Sequence, residues 1–259
     1  MSNDFELISI AFLEAYSAKF KEDSFEPFPN SDYSHEISIE DFEYYIVASS
    51  LFSSKIEGNS LDLNSFYNYR AKKDFPKVKE VEEIENLVSA YKFASENVLN
   101  EVNFLKVHSL LSKTLLKAAE RGKYRKHQVG IRDSASGRPV YMAVEPQFVT
   151  SEMQKLFSDI EFLMKQQLSA IEIFYYASMI HLWIAMIHPF GDGNGRAARL
   201  LEKWFLASKF GMKAWSIRSE KYYWDRRPEY YQNIALGFNY YALHWERCIP
   251  FLFMLPEAV

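Results

Sequence analysis

The 259-residue chain has one cysteine, Cys248. That excludes an internal disulfide and any cysteine-based zinc cluster. Glycine and proline are scarce, nine of each, which favours long helices over a turn-rich all-β fold. No basic surplus exists: the formal net charge is -4, so no nucleic-acid partner is expected. The most apolar run, Ser178 to Ile187, is far shorter than the roughly 20 residues that span a bilayer, so no membrane partner is expected either. The first twenty residues are interrupted by charges and lack a basic start, so they do not read as a secretory leader. The expectation is a cytoplasmic protein. No period of 20 to 50 residues repeats, and no low-complexity linker divides the chain. What is abundant is apolar and aromatic side chain, 48% and 17%, enough for a substantial core.

One stretch organises the rest. Residues 188 to 199 read HPFGDGNGRAAR, between an apolar run ending at Ile187 and a helix-compatible run from Ala197. A proline and three glycines cannot sit in a helix interior, so the local reading is helix, tight loop, helix. Such a loop delivers the backbone N–H groups of Gly193, Asn194 and Gly195 to the start of the second helix, where the helix dipole also favours an anion. Arg196 and Arg199 are three residues apart and share a face. Two cations at a helix N-terminus are unfavourable unless something anionic docks in front of them. His188 and Asp192 add a base and a metal-binding carboxylate, the parts a nucleoside triphosphate needs. The bare residues leave two readings open, a phosphate site or a plain turn.

The stretch resembles the signature of the Fic family, H-x-F-x-(D/E)-G-N-G-R-x-x-R, and every specified position matches. The resemblance implies transfer of AMP from ATP to a Ser, Thr or Tyr hydroxyl of a target protein, with Mg²⁺. It implies His188 as general base, Phe190 as loop anchor and Asp192 as the Mg²⁺ ligand. Gly193, Asn194 and Gly195 would form the anion hole. Arg196 and Arg199 would bind phosphates, Arg199 the γ-phosphate. Self-modification and a homodimer through aromatic surface patches are compatible with it.

Residues 38 to 57 carry helical spacing through Phe42, Tyr45, Ile46, Ser49, Phe52 and Ile56, with Ser38 and Asp41 at the cap and Gly58 at the stop. The end of this segment is similar to the family's inhibitory motif, (S/T)-x-x-x-E-(G/N), filled by Ser53, Glu57 and Gly58. The resemblance implies that Glu57 competes with the γ-phosphate for Arg199. As a bare pattern it also fits an exposed charge at a helix end.

Elsewhere, helices are predicted over 4 to 20, 62 to 73 (capped by Asp62 or Asn64 and broken at Pro76), 78 to 99, a segment from Asn103 through Leu115, 147 to 167, 169 to 187, 197 to 210 and 240 to 255. Residues 23 to 37 read as a loop. Glu80, Glu82, Glu83 and Glu85 read as a solvated face, and His108 as a core or helix-surface histidine. His181 reads as core or as a helper to His188. Residues 128 to 142 alternate around a turn-rich Asp133 to Gly137 and read as a β-hairpin. The resembling family has a flap here that holds the target by strand addition, which implicates Ile131 and Val140. Lys123, Arg125, Lys126 and Arg132 read as a solvated basic loop rather than a dock for an acidic partner. Arg227, Tyr230 and Tyr231 match a family segment written N-R-x-x-Y-Y, with Arg226 in place of Asn. That tyrosine pair either stacks on adenine or packs in the core.

The expected fold is all-α: a Fic-type helical domain with a short β-hairpin flap and an N-terminal helical extension. Residues 1–100 would carry the inhibitory helix (about 38–58), and 101–259 the catalytic core. The expected function is autoinhibited AMP transfer. Removal of AMP, another nucleotide or phosphoryl transfer, and a vestigial nucleotide-binding regulator are the alternatives.

Overall fold

A computed structural model describes residues 5–20, 38–71, 79–132 and 137–259. The predicted loop 23–37, Pro76 and most of the turn 133–137 lie outside these residues. The described chain is helical apart from one two-stranded antiparallel sheet.

The centre is a helix pair joined by the loop at 188–193. Helix α7 (Ala170–Ile187) starts at a capping box, in which the Ser169 side chain takes the Glu172 N–H and the Glu172 carboxylate takes the Ser169 N–H. Its residues are buried on nearly every side. It is long and apolar enough to cross a bilayer, more so than its most apolar run suggests, but it is the core helix of this fold. Helix α8 (Asn194–Phe210) is bracketed by two glycines with left-handed backbone, Gly193 (φ +80°) and Gly211 (φ +76°).

Around this pair pack α4 (Lys79–Glu96), α5 (Glu101–Leu111) and α6 (Pro146–Lys165), while α2 (Ile39–Ile56) lies against α4 and the short α9 (Ser219–Asp225). Helix α2 is capped by Ser38, whose hydroxyl accepts the Asp41 N–H, and buries Ile46, Val47, Leu51 and Ile56. Helices α1 (Leu13–Ser17), α3 (Leu63–Ala71, capped by Asp62), α10 (Arg227–Ile234) and α11 (Ile249–Met254) complete the set. Strands β1 (Gly130–Arg132) and β2 (Pro139–Met142) form the predicted hairpin.

Three predicted elements are corrected. The helix predicted over 4–20 shrinks to α1, because the buried Asp159 carboxylate takes the N–H groups of Glu6, Leu7 and Ile8 at 2.7, 2.8 and 2.8 Å. Three N–H bonds to one carboxylate hold that segment out of helix geometry. Helix α5 is capped by Asn100, which accepts the Asn103 N–H; Asn103 sits inside the first turn. The predicted helix 240–255 is a loop, a short 3₁₀ turn at Trp245–Arg247 and then α11. Pro250 explains the break: it is tolerated in a first helical turn and not in an interior. Upstream, residues 238–240 run beside β2, with Met142 N–H donating to Phe238 C=O and Tyr240 N–H to Met142 C=O.

Candidate active site

The loop between α7 and α8 is built by four devices. His188 ends α7 in the left-handed region (φ 51°) and is the only non-glycine there among the described residues. A side chain in that region is strained unless its surroundings hold it. Phe190 is fully buried and stacks on His108 at 3.5 Å between centroids and 4° between planes. Asn194 clamps Phe190 from both sides, its amide oxygen accepting the Phe190 N–H at 2.8 Å and its NH₂ donating to the Phe190 C=O at 2.9 Å. Gly193 supplies the backbone turn, and its N–H donates to the Asp192 carboxylate at 2.6 Å.

His108 also braces the loop. Gly122 N–H donates to its Nδ1 at 3.1 Å, so Nε2 carries the proton and donates to the Asp192 carbonyl at 3.0 Å. Burial pushes its pKa down to about 4. Arg125 also braces the loop, which corrects its reading as a solvated cation. Its buried guanidinium donates to the carbonyls of His188 (2.7 Å), His127 (3.0 Å), Val144 (2.5 Å) and Ile187 (3.3 Å), and its own N–H to Pro189 (2.9 Å). Lys123 and Lys126 are exposed.

His188 is set up as a base. Its Nδ1 lies 3.3 Å from the Ala185 carbonyl, which can only accept, so Nδ1 carries the proton and Nε2 holds the free lone pair. Burial pushes its pKa down to about 4, more than Ala185, Glu57 and Asp192 push it up. The imidazole is therefore neutral near pH 7.

Both arginines of α8 face carboxylates. Arg199 is fully buried; its Nε donates to Ser53 Oγ (2.9 Å), and the same terminal nitrogen donates to the Ser53 C=O (3.0 Å) and Glu57 Oε1 (2.7 Å). Its other terminal nitrogen donates to the Tyr230 hydroxyl at 3.2 Å. Glu57 is the C-cap of α2, followed by Gly58 at φ +107°. Burial would raise the Glu57 carboxyl, but the charges of Arg199 and Arg196 outweigh it and hold the pKa below the usual carboxylate range. The carboxylate lies against Gly195, where a Cβ would sit 2.5 Å from Glu57 Oε1. Gly195 thus leaves an anion-sized cradle at the N-terminus of α8.

Arg196 pairs with Glu83 at 2.6 Å and lies 3.9 Å from Asp192. This corrects the solvated reading of Glu83, which is buried. The signal was present: Glu83 shares helical spacing with the buried Leu87, Ala90 and Ala94. Asp192 is exposed, its side chain 53% accessible. Among the described residues no group of three or more His, Cys, Asp or Glu gathers in metal geometry. A lone carboxylate at the mouth suits Mg²⁺, which takes one or two protein carboxylates and completes its shell from phosphates and water. The buried Arg196 Nε has no partner among the described residues, which leaves it a free donor.

The tyrosine pair divides. Tyr230 takes the core alternative: it is buried beside Tyr223 and Phe251, and its hydroxyl links Arg199 to His181 Nε2 (3.0 Å), whose Nδ1 lies 2.7 Å from Glu202. Tyr231 is 42% exposed and donates to the Ile56 carbonyl at 3.1 Å. On the hairpin, Ile131 pairs with Tyr141 while Val140 sits in a bulge; both Ile131 and Val140 are exposed. The Tyr141 hydroxyl donates to the Met186 carbonyl at 2.7 Å and ties the hairpin to the end of α7.

Residues 98–206 match the sequence profile of the Fic/DOC family. Over 158 residues the chain is 28% identical to a curated relative named "Protein adenylyltransferase Fic" from Aedes aegypti, covering 56% of this chain and 29% of the relative. A relative of the same name from Culex quinquefasciatus is 29% identical over 155 residues, with the same coverages. The match therefore spans under a third of those relatives' length. In fold the chain is similar to a crystal structure of a Fic family protein from Desulfovibrio desulfuricans (TM-score 0.67, 22% identity, 96% of this chain and 70% of that one). It is also similar to that of a Fic domain containing signaling protein from Bacteroides thetaiotaomicron (TM-score 0.64, 17% identity, 95% and 91%).

Proposed function

We infer an autoinhibited protein adenylyltransferase from a chain whose residues 98–206 match the Fic/DOC family profile. It moves AMP from ATP to a hydroxyl of a target protein. One observation carries the reading: the Glu57 carboxylate occupies the cradle at Gly195 and engages Arg199, as a phosphate would. A site that holds a carboxylate there is built for an anion and is held closed by one.

The chemistry follows from the residues. Gly195 and the first-turn N–H groups of α8 receive phosphate oxygens, with Arg196 and Arg199 supplying charge. The target hydroxyl enters along the hairpin past Ile131 and Val140. His188 Nε2 takes its proton as the oxygen attacks the α-phosphorus. The bond from that phosphorus to the bridging oxygen breaks, and pyrophosphate leaves. Asp192 would hold Mg²⁺, which neutralises phosphate charge when bound. In this reading residues 1–100 contribute the regulatory helix α2 and residues 101–259 the catalytic core, with self-modification a further outcome of the same chemistry.

The test is intact-mass spectrometry of wild type, Glu57→Gly and His188→Ala, each incubated with Mg²⁺ and ATP, UTP or CTP. The expected result is one added AMP, more in Glu57→Gly and none in His188→Ala. Nucleotide addition by His188→Ala at the parent rate overturns the base assignment. No addition by Glu57→Gly, alone or with a cell extract as target source, overturns the transfer reading, and release of AMP from a pre-modified protein then takes its place.

A further inference from the structure

The two arginines of the phosphate site are held differently. Glu57, which holds Arg199, stands at a helix end beside a glycine, with a side chain 27% exposed. It has room to leave. Glu83, which holds Arg196, lies within α4 with a side chain only 11% exposed. Its Oε1 forms an ion pair with the Arg196 guanidinium at 2.6 Å and accepts from Ser54 Oγ at 2.7 Å. A carboxylate with two partners on one oxygen and little exposure to water does not readily make way for a phosphate.

The Arg196 guanidinium is correspondingly divided. One terminal nitrogen is spent on Glu83, the other lies 3.9 Å from the Asp192 carboxylate, and the buried Nε has no partner among the described residues. Glu83 thus fixes the group from behind and leaves donors toward the loop. Without it the guanidinium would be a nearly buried charge with no strong counterion, and it would turn to solvent.

We propose that Glu83 is the positioning residue for Arg196, holding it at the phosphate site whether or not Glu57 occupies Arg199. The proposal rests on the nucleotide reading above. It makes the site asymmetric: one carboxylate, Glu57, is the removable stop, and the other, Glu83, is a permanent part of the phosphate clamp.

The test uses the full chain in the Glu57→Gly background, with Glu83→Ala and Glu83→Gln added separately. Binding of Mg-ATP and of adenosine is measured by calorimetry, and KM for ATP and kcat by AMP transfer. Glu83→Ala is expected to weaken Mg-ATP at least tenfold and leave adenosine within twofold. KM for ATP should rise while kcat stays within about threefold. Glu83→Gln should recover ATP binding to within about threefold of the parent, because its amide oxygen keeps a polar acceptor at the same place against Arg196. ATP binding by Glu83→Ala equal to or tighter than the parent overturns the proposal and makes Glu83 a bystander or a second stop. Equal losses of ATP and adenosine overturn it in favour of a purely structural role. A Glu57→Gly parent that binds neither probe overturns the nucleotide reading and the assignment with it.

Discussion

Glu57→Gly is the perturbation with the most to reveal. The bond it removes is a charge-assisted hydrogen bond of 2.7 Å to Glu57 from an arginine with no exposed side-chain area. Bonds to charged groups contribute about 1.5–3 kcal/mol. Where ATP must displace that bond, its removal tightens apparent ATP binding by about 10- to 150-fold. The cost appears in the nucleotide-free protein. Arg199 keeps Ser53 and Tyr230 but loses its carboxylate, and breaking a buried pair costs about 3–5 kcal/mol. The variant should therefore melt lower than wild type without nucleotide and gain more from Mg-ATP. Saturation at 100 times Kd adds about 2.7 kcal/mol. Residue 57 itself has φ -86° and ψ 2°, which glycine adopts without strain. Thermal melts across an ATP titration read both terms. The same melting temperature as wild type, or an ATP midpoint within twofold of it, refutes the competition between Glu57 and phosphate. Acid should not imitate the mutation in the physiological range. A carboxyl held below its usual pKa stays charged above about 4.5, so inhibition persists from pH 5 to 8 and fades only as pH falls through the lowered value.

Further expectations concern the histidines and the buried ion pair. With the His188 pKa near 4, the acid limb of kcat/KM should fall below about pH 5 rather than near 6.5; a limb at 6.5 places the base elsewhere. The neutral His108, also near 4, makes the fold lose stability as pH drops from 6.5 toward 4, by about 3 kcal/mol, and His108→Phe should reduce that slope while the share from His188 remains. Lys203 and Glu220 form a buried ion pair, with Ser49 accepting from Lys203 and Tyr91 donating to Glu220. Lys203→Met should cost about 3–5 kcal/mol by stranding Glu220, read as a melting temperature lower by about 10 °C. Adding Glu220→Gln should recover part of it, and a double variant no better than the single denies the stranded charge.

Much of this protein is local and was legible as such. The cap at Ser38, the stop at Gly58 and the glycine-rich turn before α8 are each dictated by a residue and its near neighbours. His188, Asp192 and the two arginines were identifiable because their spacing lies within one loop and one helical turn. Some failures were local, such as the helix drawn unbroken through Pro250; others are non-local. Asp159 uncoils the N-terminal segment from about 150 positions away. Arg125 and Glu83 are charged residues that read as solvated because sequence shows a charge and not its counterpart. Whether a charge is affordable inside the protein depends on a partner brought from another element: the carbonyls of the catalytic loop for Arg125, and Arg196 with Ser54 for Glu83. The chain alone therefore determined which groups could bind a phosphate and take a proton. Only tertiary structure decided that a carboxylate from α2 lies against Gly195 and Arg199, because the 142-position separation of Glu57 and Arg199 is closed by packing and not by any local rule.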